Sequence, residues 1–412
     1  MGEHAEVNIA AYDKYIRSVD WLQEAGLPVA ITLTEVLESC EGKDAVIFPP
    51  TFAMDKKALY PYQIDEFRTD IPPQAAKPGE EVNTCLIDSI GSQANRMEPG
   101  FKQAPLSGLV PQVEVRLKNK AADEETSKPV NLLDIGHRIA DGAIRFSGLH
   151  DKVREAIMAM RDKADAGPLA KLAPTSLLFG FWDSRPGTTM FKWGRMLRSE
   201  IRATNVVYVK RSAQFNPAFD PSLIGLADEV PDDAQQPQSG DEAPGKAGDG
   251  KDPLSKLGLR AAPAVGTHGG IRVYGQIVRR TQINLVTLRS LGVTNGTNGG
   301  GDLAIDGDET LKLRRYILGL ALVAARSQAN YALREGCLLV CTGEPKAGLV
   351  YSNSKSEDFD WDLRQCFFYA QEAAKEFGIE SSQVQTYEFD GKEAKEGVER
   401  LKGGKAKGKK SK

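Results

Sequence analysis

The sequence predicts an α+β fold, and three observations carry that prediction. Residues 27–37 (LPVAITLTEVL) alternate apolar and polar positions and are rich in β-branched side chains, which marks a strand with one buried face. Strand signal returns strongly at 270–284. Apolar stripes at helical spacing recur in the same chain at 85–98, 131–146, 151–164, 309–335 and 361–377. A chain of 412 residues with 41% hydrophobic content can bury a large core.

After the strand at 27–37, residues 43–82 are rich in proline and aromatics with weak periodicity, which suits an inserted loop or hairpin. Leu86, Ile90, Ala94 and Met97 form the buried stripe of a helix over 85–98, stopped by Pro99-Gly100. A strand at 113–117 leads through a polar loop to a second helix over 131–146, with Leu132, Ile139, Ala143 and Phe146 inward. A helix at 151–164 ends before Gly167-Pro168, and 175–182 has the look of a buried strand. Residues 226–256 lack apolar content and should form a disordered acidic insertion. The Gly-rich stretch 294–302 reads as a flexible loop; without a Gly-Lys-Ser/Thr ending it is no phosphate loop. Helices follow at 309–335 and 361–377, with a strand at 337–341 between them. A Lys-rich tail, 401–412, should be disordered.

The net charge is −3, an unpromising value for a nucleic-acid binder. The distribution changes that view. Residues 228–252 hold eight acids against Lys246 and Lys251, and six tail lysines cancel that excess. The remaining body is close to neutral, so any nucleic-acid site must be a local stripe. Five widely spaced cysteines, no Cys-x-x-Cys pair and no signal-peptide pattern indicate reduced thiols, a cytoplasmic location and no zinc site. The longest apolar run, 316–325, is too short to cross a bilayer and reads as a core helix.

Candidate binding residues fall in several groups. On the first helix, Ser92, Gln93, Asn95 and Arg96 (with Asp88 and Ser89) replace the Glu and Lys of an ordinary solvated face. Short donors around one arginine suit sugar hydroxyls, phosphates or base edges. On the second helix, Asp134, Arg138, Asp141 and Arg145 share a side with His137 beside them; two Asp–Arg i,i+4 pairs explain that pattern equally well. Lys192, Arg195, Arg198 and Arg202 recur at helical spacing as a cationic ridge or a solvated face. In a strand over 271–284, Arg272, Tyr274, Gln276, Arg280 and Gln282 share one face, either a single-strand stacking platform or a plain wet face.

The strings LIDSIGSQANRME (86–98), LLDIGHRIADGAIR (132–145), LLFGFWDSR (177–185) and FPPTFA (48–53) occur in one order along the chain. Together they resemble the RAMP-superfamily backbone subunit (the Cas-seven family) of the type I-G CRISPR Cascade, formerly type I-U, over roughly residues 27–390. The resemblance implies an RRM/ferredoxin-like palm of antiparallel sheet and helices, a single elaborated domain over 1–400 with large inserted loops. It implies a subunit that polymerises along CRISPR guide RNA beside other Cascade subunits and presents the guide to a target DNA strand. Cofactors, membrane contact and catalysis are not expected. Arg96, Arg138 and Arg145 are then the foremost RNA contacts, supported by Ser92, Gln93, Asn95 and His137 and followed by the ridge.

Two other classes compete. A metal-dependent nuclease could use Asp134, His137 and Asp141, or a loop carboxylate such as Asp70, Asp88 or Asp183. A scaffold that binds only proteins would lack enzyme motifs just as this chain does.

Overall fold

The computed structural model describes residues 8–17, 26–53, 60–117, 129–185, 188–215, 262–297, 303–305, 307–327, 331–379 and 384–408. A short helix α1 (Asp13–Ile16) precedes strand β1 (Pro28–Ser39), whose alternation buries Ile31, Leu33 and Leu37 on one face. The insertion at 43–82 contributes short strands β2 (Val46–Ile47) and β3 (Ile64–Glu66). The helix expected over 85–98 is shorter. Strand β4 (Asn83–Asp88) is buried along its whole length, and helix α2 covers only Ile90–Met97. Ser89 sets the boundary as an N-cap, its hydroxyl accepting from the Ser92 N–H at 3.2 Å. A run buried on both faces has no period to separate strand from helix.

Strands β5 (Val113–Arg116) and β6 (Pro129–Asn131) follow. The continuous helix expected over 131–146 is absent. Short 3-10 turns occupy Leu132–Asp134 and Arg138–Ala140, and only Gly142–Arg145 is α-helical (α3). The Asn131 and Asp141 carboxamide and carboxylate oxygens each accept from an N–H two residues on, at 2.9 Å, and redirect the backbone there. Helices α4 (His150–Lys163), α5 (Gly167–Leu172) and α6 (Pro174–Phe179) come next. The last corrects the strand expected over 175–182: Pro174 opens a buried helical turn, and only Phe181–Asp183 is extended (β7). The cationic helical ridge is likewise extended, as β8 (Phe191–Trp193) and β9 (Leu197–Thr204). Its arginines fit a second period. Arg198, Glu200 and Arg202 alternate with buried Leu197, Ser199, Ile201 and Ala203.

Strands β10 (Val206–Phe215), β11 (Ala262–Val273) and β12 (Ile277–Asn284) lead to α7 (Leu285–Arg289). The strand expected over 271–284 is thus interrupted at 274–276. The acidic insertion at 226–256 lies outside the described residues, as does 298–302 of the Gly-rich loop, whose flanks form β13 (Thr294–Thr297) and β14 (Leu303–Ile305). Helix α8 (Gly307–Ser327) ends earlier than the expected 335, because Tyr331–Arg334 is strand β15. It forms a hairpin with β16 (Cys337–Cys341), turning at Gly336 with φ +68°; a Cβ there would fall 2.5 Å from the Phe48 ring. Strands β17 (Lys346–Tyr351) and β18 (Ser356–Asp358), helix α9 (Leu363–Glu376), strand β19 (Gln385–Glu388) and helix α10 (Gly391–Gly408) complete the order. Helix α10 extends into the Lys-rich tail; 409–412 lie outside the described residues.

The central strands lie side by side as β17–β1–β12–β9, every neighbour antiparallel. The chain passes from β1 to β9 through the helices α2 to α6, and from β12 to β17 through α8. This is a ferredoxin-like palm, an α+β fold, enlarged by β15 and β16 on one side and by β4 and β3 on the other. Beyond Asn205 (φ +52°), β9 continues as β10, and the return strand β11 pairs with it in a long ribbon that also takes up β2. Residues 316–325 of α8 are buried on every side between sheet and helices. Gly319 allows α9 to cross closely, since a Cβ there would sit 2.8 Å from the Ala370 Cα. Among the described residues, no helix is long and apolar enough to cross a membrane.

Candidate nucleic-acid interface

The segments that carry the recognisable strings meet in space. Arg138, from the turns after β6, pairs with Glu98 after α2 at 2.8 Å, and both are almost fully buried. Its Nη1 donates to the Gly136 and Gly180 carbonyls at 3.4 and 3.3 Å, and its guanidinium lies 5.2 Å from the Phe179 ring centroid. Burial pushes the Glu98 carboxyl up to about 7, with the Arg138 charge opposing it; burial also holds Arg138 below its ordinary value. Arg138, expected on an exposed helix face, is therefore an internal tie between the three strings.

Above that tie the surface is polar and cationic. Asn95 is exposed on α2, with its Nδ2 3.4 Å from where a Gly136 Cβ would stand, and His137 is exposed next to it. Gly180 adopts φ +77° and packs on the end of β8 and the residues that follow it, a Cβ there falling 2.9 Å from the Trp193 carbonyl and 3.0 Å from the Arg195 nitrogen. Arg195 is exposed. The β7–β8 hairpin presents Trp182, 64% exposed, with the Lys192 ammonium 5.2 Å from its ring centroid. An exposed indole with cations beside it suits base stacking and phosphate contact together.

Ser92, Gln93 and Arg96 point partly or wholly the other way. Asp88, fully buried, accepts from the Ser92 hydroxyl at 2.8 Å, Gln93 Nε2 at 2.7 Å, and Arg96 and Arg334 at 3.1 Å each. Gln93 Oε1 in turn accepts from Ser199 at 3.0 Å and Arg279 at 3.1 Å. Arg279 then reaches Glu35 at 2.6 Å and the Ala325 carbonyl at 3.0 Å, and Tyr331 donates to the other Glu35 oxygen at 2.9 Å. This network joins sheet, α2 and α8, and places Gln93 in the interior. Sequence reasoning missed Arg279 and Glu35, although both fall on the apolar phase of their strands, which was the available signal.

The outer sheet face gathers the two basic tracts that the sequence kept apart. Across the register, Arg198 stands opposite Gln282, Glu200 opposite Arg280, and Thr34 between Arg280 and Lys346. Arg198, Arg280, Gln282 and Lys346 are exposed. Arg202 is held by Glu200 at 2.8 Å and Asp65 at 2.9 Å, so it serves the sheet edge. Arg272 and Tyr274, both exposed, lie instead on the ribbon and its bend. Arg145 belongs to a separate cleft beside α4.

The nuclease trio does not share a face. Asp134 pairs with Lys102 at 2.5 Å, and Asp141 caps α3. Among the described residues, no group of three or more His, Cys, Asp or Glu is placed to hold a metal ion. Asp70 pairs with Arg68 at 2.6 Å, and Asp183 accepts from the Thr189 hydroxyl at 2.5 Å and its N–H at 2.9 Å. Cys85, Cys337 and Cys366 are buried free thiols, whereas Cys40 and Cys341 are exposed.

Fold and surface define an α+β palm with local cationic faces. Residues 31–208, from β1 into β10, match a family model described as CRISPR-associated protein GSU0053. The chain is similar to that family over this stretch, which is less than half of its length. No curated protein matches the chain.

Proposed function

We propose that this chain is a non-catalytic RNA-binding backbone subunit of a CRISPR effector ribonucleoprotein, of the RAMP type found in type I-G Cascade. Copies of it line the guide RNA as a filament and present the guide for pairing with target DNA. The observation that carries this reading is the meeting of the three resembling strings at Glu98–Arg138, beneath a surface of Asn95, His137, Trp182, Lys192 and Arg195. A ferredoxin-like palm with a long β10–β11 ribbon adds a groove-forming arm, and Arg272 and Tyr274 sit at its base. Phosphate contacts set register while bases stay available, so guide sequence should matter little.

The test is co-expression with a CRISPR array, purification in moderate salt and a denaturing gel. A discrete guide-length RNA that RNase removes is the expected result. Protein free of RNA, both alone and with its partner subunits, would rule the reading out. The same preparation should leave guide and target RNA uncut in Mg²⁺ or Mn²⁺; cleavage would favour the nuclease class.

A further inference from the structure

A shallow cleft, with only about 20 Å³ of enclosed space, opens between the loop after β7 and helices α3 and α4. Arg145, His150, Arg154 and Arg185 line it, with the hydroxyl-bearing Thr188 and Thr189 at its edge. Asp183 is the one carboxylate among its lining residues, and its Oδ2 already accepts twice from Thr189, at 2.5 and 2.9 Å. Arg185 reaches across the opening: its Nη1 lies 3.9 Å from where a Cβ on Gly142 would stand, above the start of α3. Its backbone is held by the Thr188 hydroxyl, which donates to the Arg185 carbonyl at 2.7 Å.

The exposed guanidiniums of Arg154 and Arg185, with Arg145 and the His150 imidazole beside them, face one committed carboxylate and give the opening an excess of positive charge. Such an excess favours an anion there. The planar fork of a guanidinium matches a phosphate better than it matches any neutral ligand.

We propose that the cation-lined mouth of this cleft holds one backbone phosphate of a single-stranded nucleic acid. Its lining residues are not those of the surface over Glu98–Arg138 or of the outer sheet face. The assignment to nucleic acid rests on the function proposed above and extends the contact set to His150, Arg154 and Arg185. Arg154 and Arg185 are exposed, so both can be altered without opening the core.

The experiment uses the full chain, an Arg154→Gln/Arg185→Gln variant and, for comparison, an Arg198→Gln/Arg280→Gln variant, with matched thermal melts as a check on folding. Inorganic phosphate is titrated by calorimetry, and labelled single-stranded RNA by anisotropy over a salt series. Saturable phosphate binding lost only in the cleft variant, with RNA affinity down roughly tenfold and a salt slope smaller by about one, is the expected result. Unchanged RNA affinity and slope in the cleft variant would overturn the pocket while leaving the RNA-binding reading intact. Phosphate binding by a chain that takes up no RNA would overturn the nucleic-acid assignment and indicate a free-phosphate site. Neither ligand binding would remove both.

Discussion

A charge buried where α2, the turns after β6 and α6 meet must be matched on the spot, because water cannot reach it. Glu98 and Arg138 match each other at 2.8 Å. Arg138→Met would leave Glu98 buried without its counter-charge and should cost about 3–5 kcal/mol in a urea melt, whereas replacing both residues with apolar ones should restore most of the loss. A single variant as stable as the wild type would mean the pair is dispensable. The same carboxyl supplies a pH test. Its value rises from 4.5 to about 7 on folding, so the folded chain holds its proton more tightly than the unfolded chain. The stabilisation is full below pH 4.5 and is lost as pH rises through 7. The stability gap between wild type and Glu98→Gln should therefore shift by about 3 kcal/mol across that window, with the wild type losing ground as pH rises.

At the scale of elements, close approach and backbone strain decide which positions tolerate change. Helices α8 and α9 touch at Gly319, where a Cβ would meet backbone at 2.8 Å. Gly319→Ala must push the helices apart and should cost about 1–3 kcal/mol by chemical denaturation. The bend between sheet and ribbon depends on Asn205, held at φ +52° with its side chain accepting from the Val82 N–H at 2.9 Å and donating to the Glu80 carbonyl at 2.8 Å. Glycine there loses the hydrogen bonds and keeps the backbone freedom; alanine loses both. Asn205→Ala should be less stable than Asn205→Gly by roughly 1–2 kcal/mol. Equal stabilities would show that the left-handed backbone at this bend carries no strain.

For the whole molecule, a net charge of −3 means that no global field draws RNA in. Under the proposed function, RNA contacts would come from local faces: the Trp182 hairpin with Asn95, His137 and Arg195, and the sheet face with Arg198 and Arg280. Trp182→Ala with Lys192→Ala should weaken single-stranded RNA binding by roughly 1–3 kcal/mol, about equally for unrelated sequences. Anisotropy titrations on two unrelated sequences would measure this; a loss confined to one sequence would argue for base readout in place of stacking.

Some of this was legible from residue order alone. The strand at 27–37 and the helices at 151–164 and 361–377 each show one unambiguous period, and each forms within a residue or two. The quoted strings pointed to a CRISPR-associated family, and residues 31–208 are similar to the model of one such family. Where two periods fit, tertiary structure chose between them. Arg198 and Arg202 suit a helix or a strand equally, and pairing with β12 made them part of a strand. That pairing also set Arg198 beside Gln282, although they are far apart in the chain. Gln93 and Arg138 had polarity in common with Asn95 and His137, yet the fold turned the first two inward and left the other two exposed. The sequence by itself determined which segments are amphipathic and how much charge each carries, because periodicity and charge are local. Only the tertiary structure decided which polar groups became internal ties and which remained a surface, because that depends on partners brought from elsewhere in the chain.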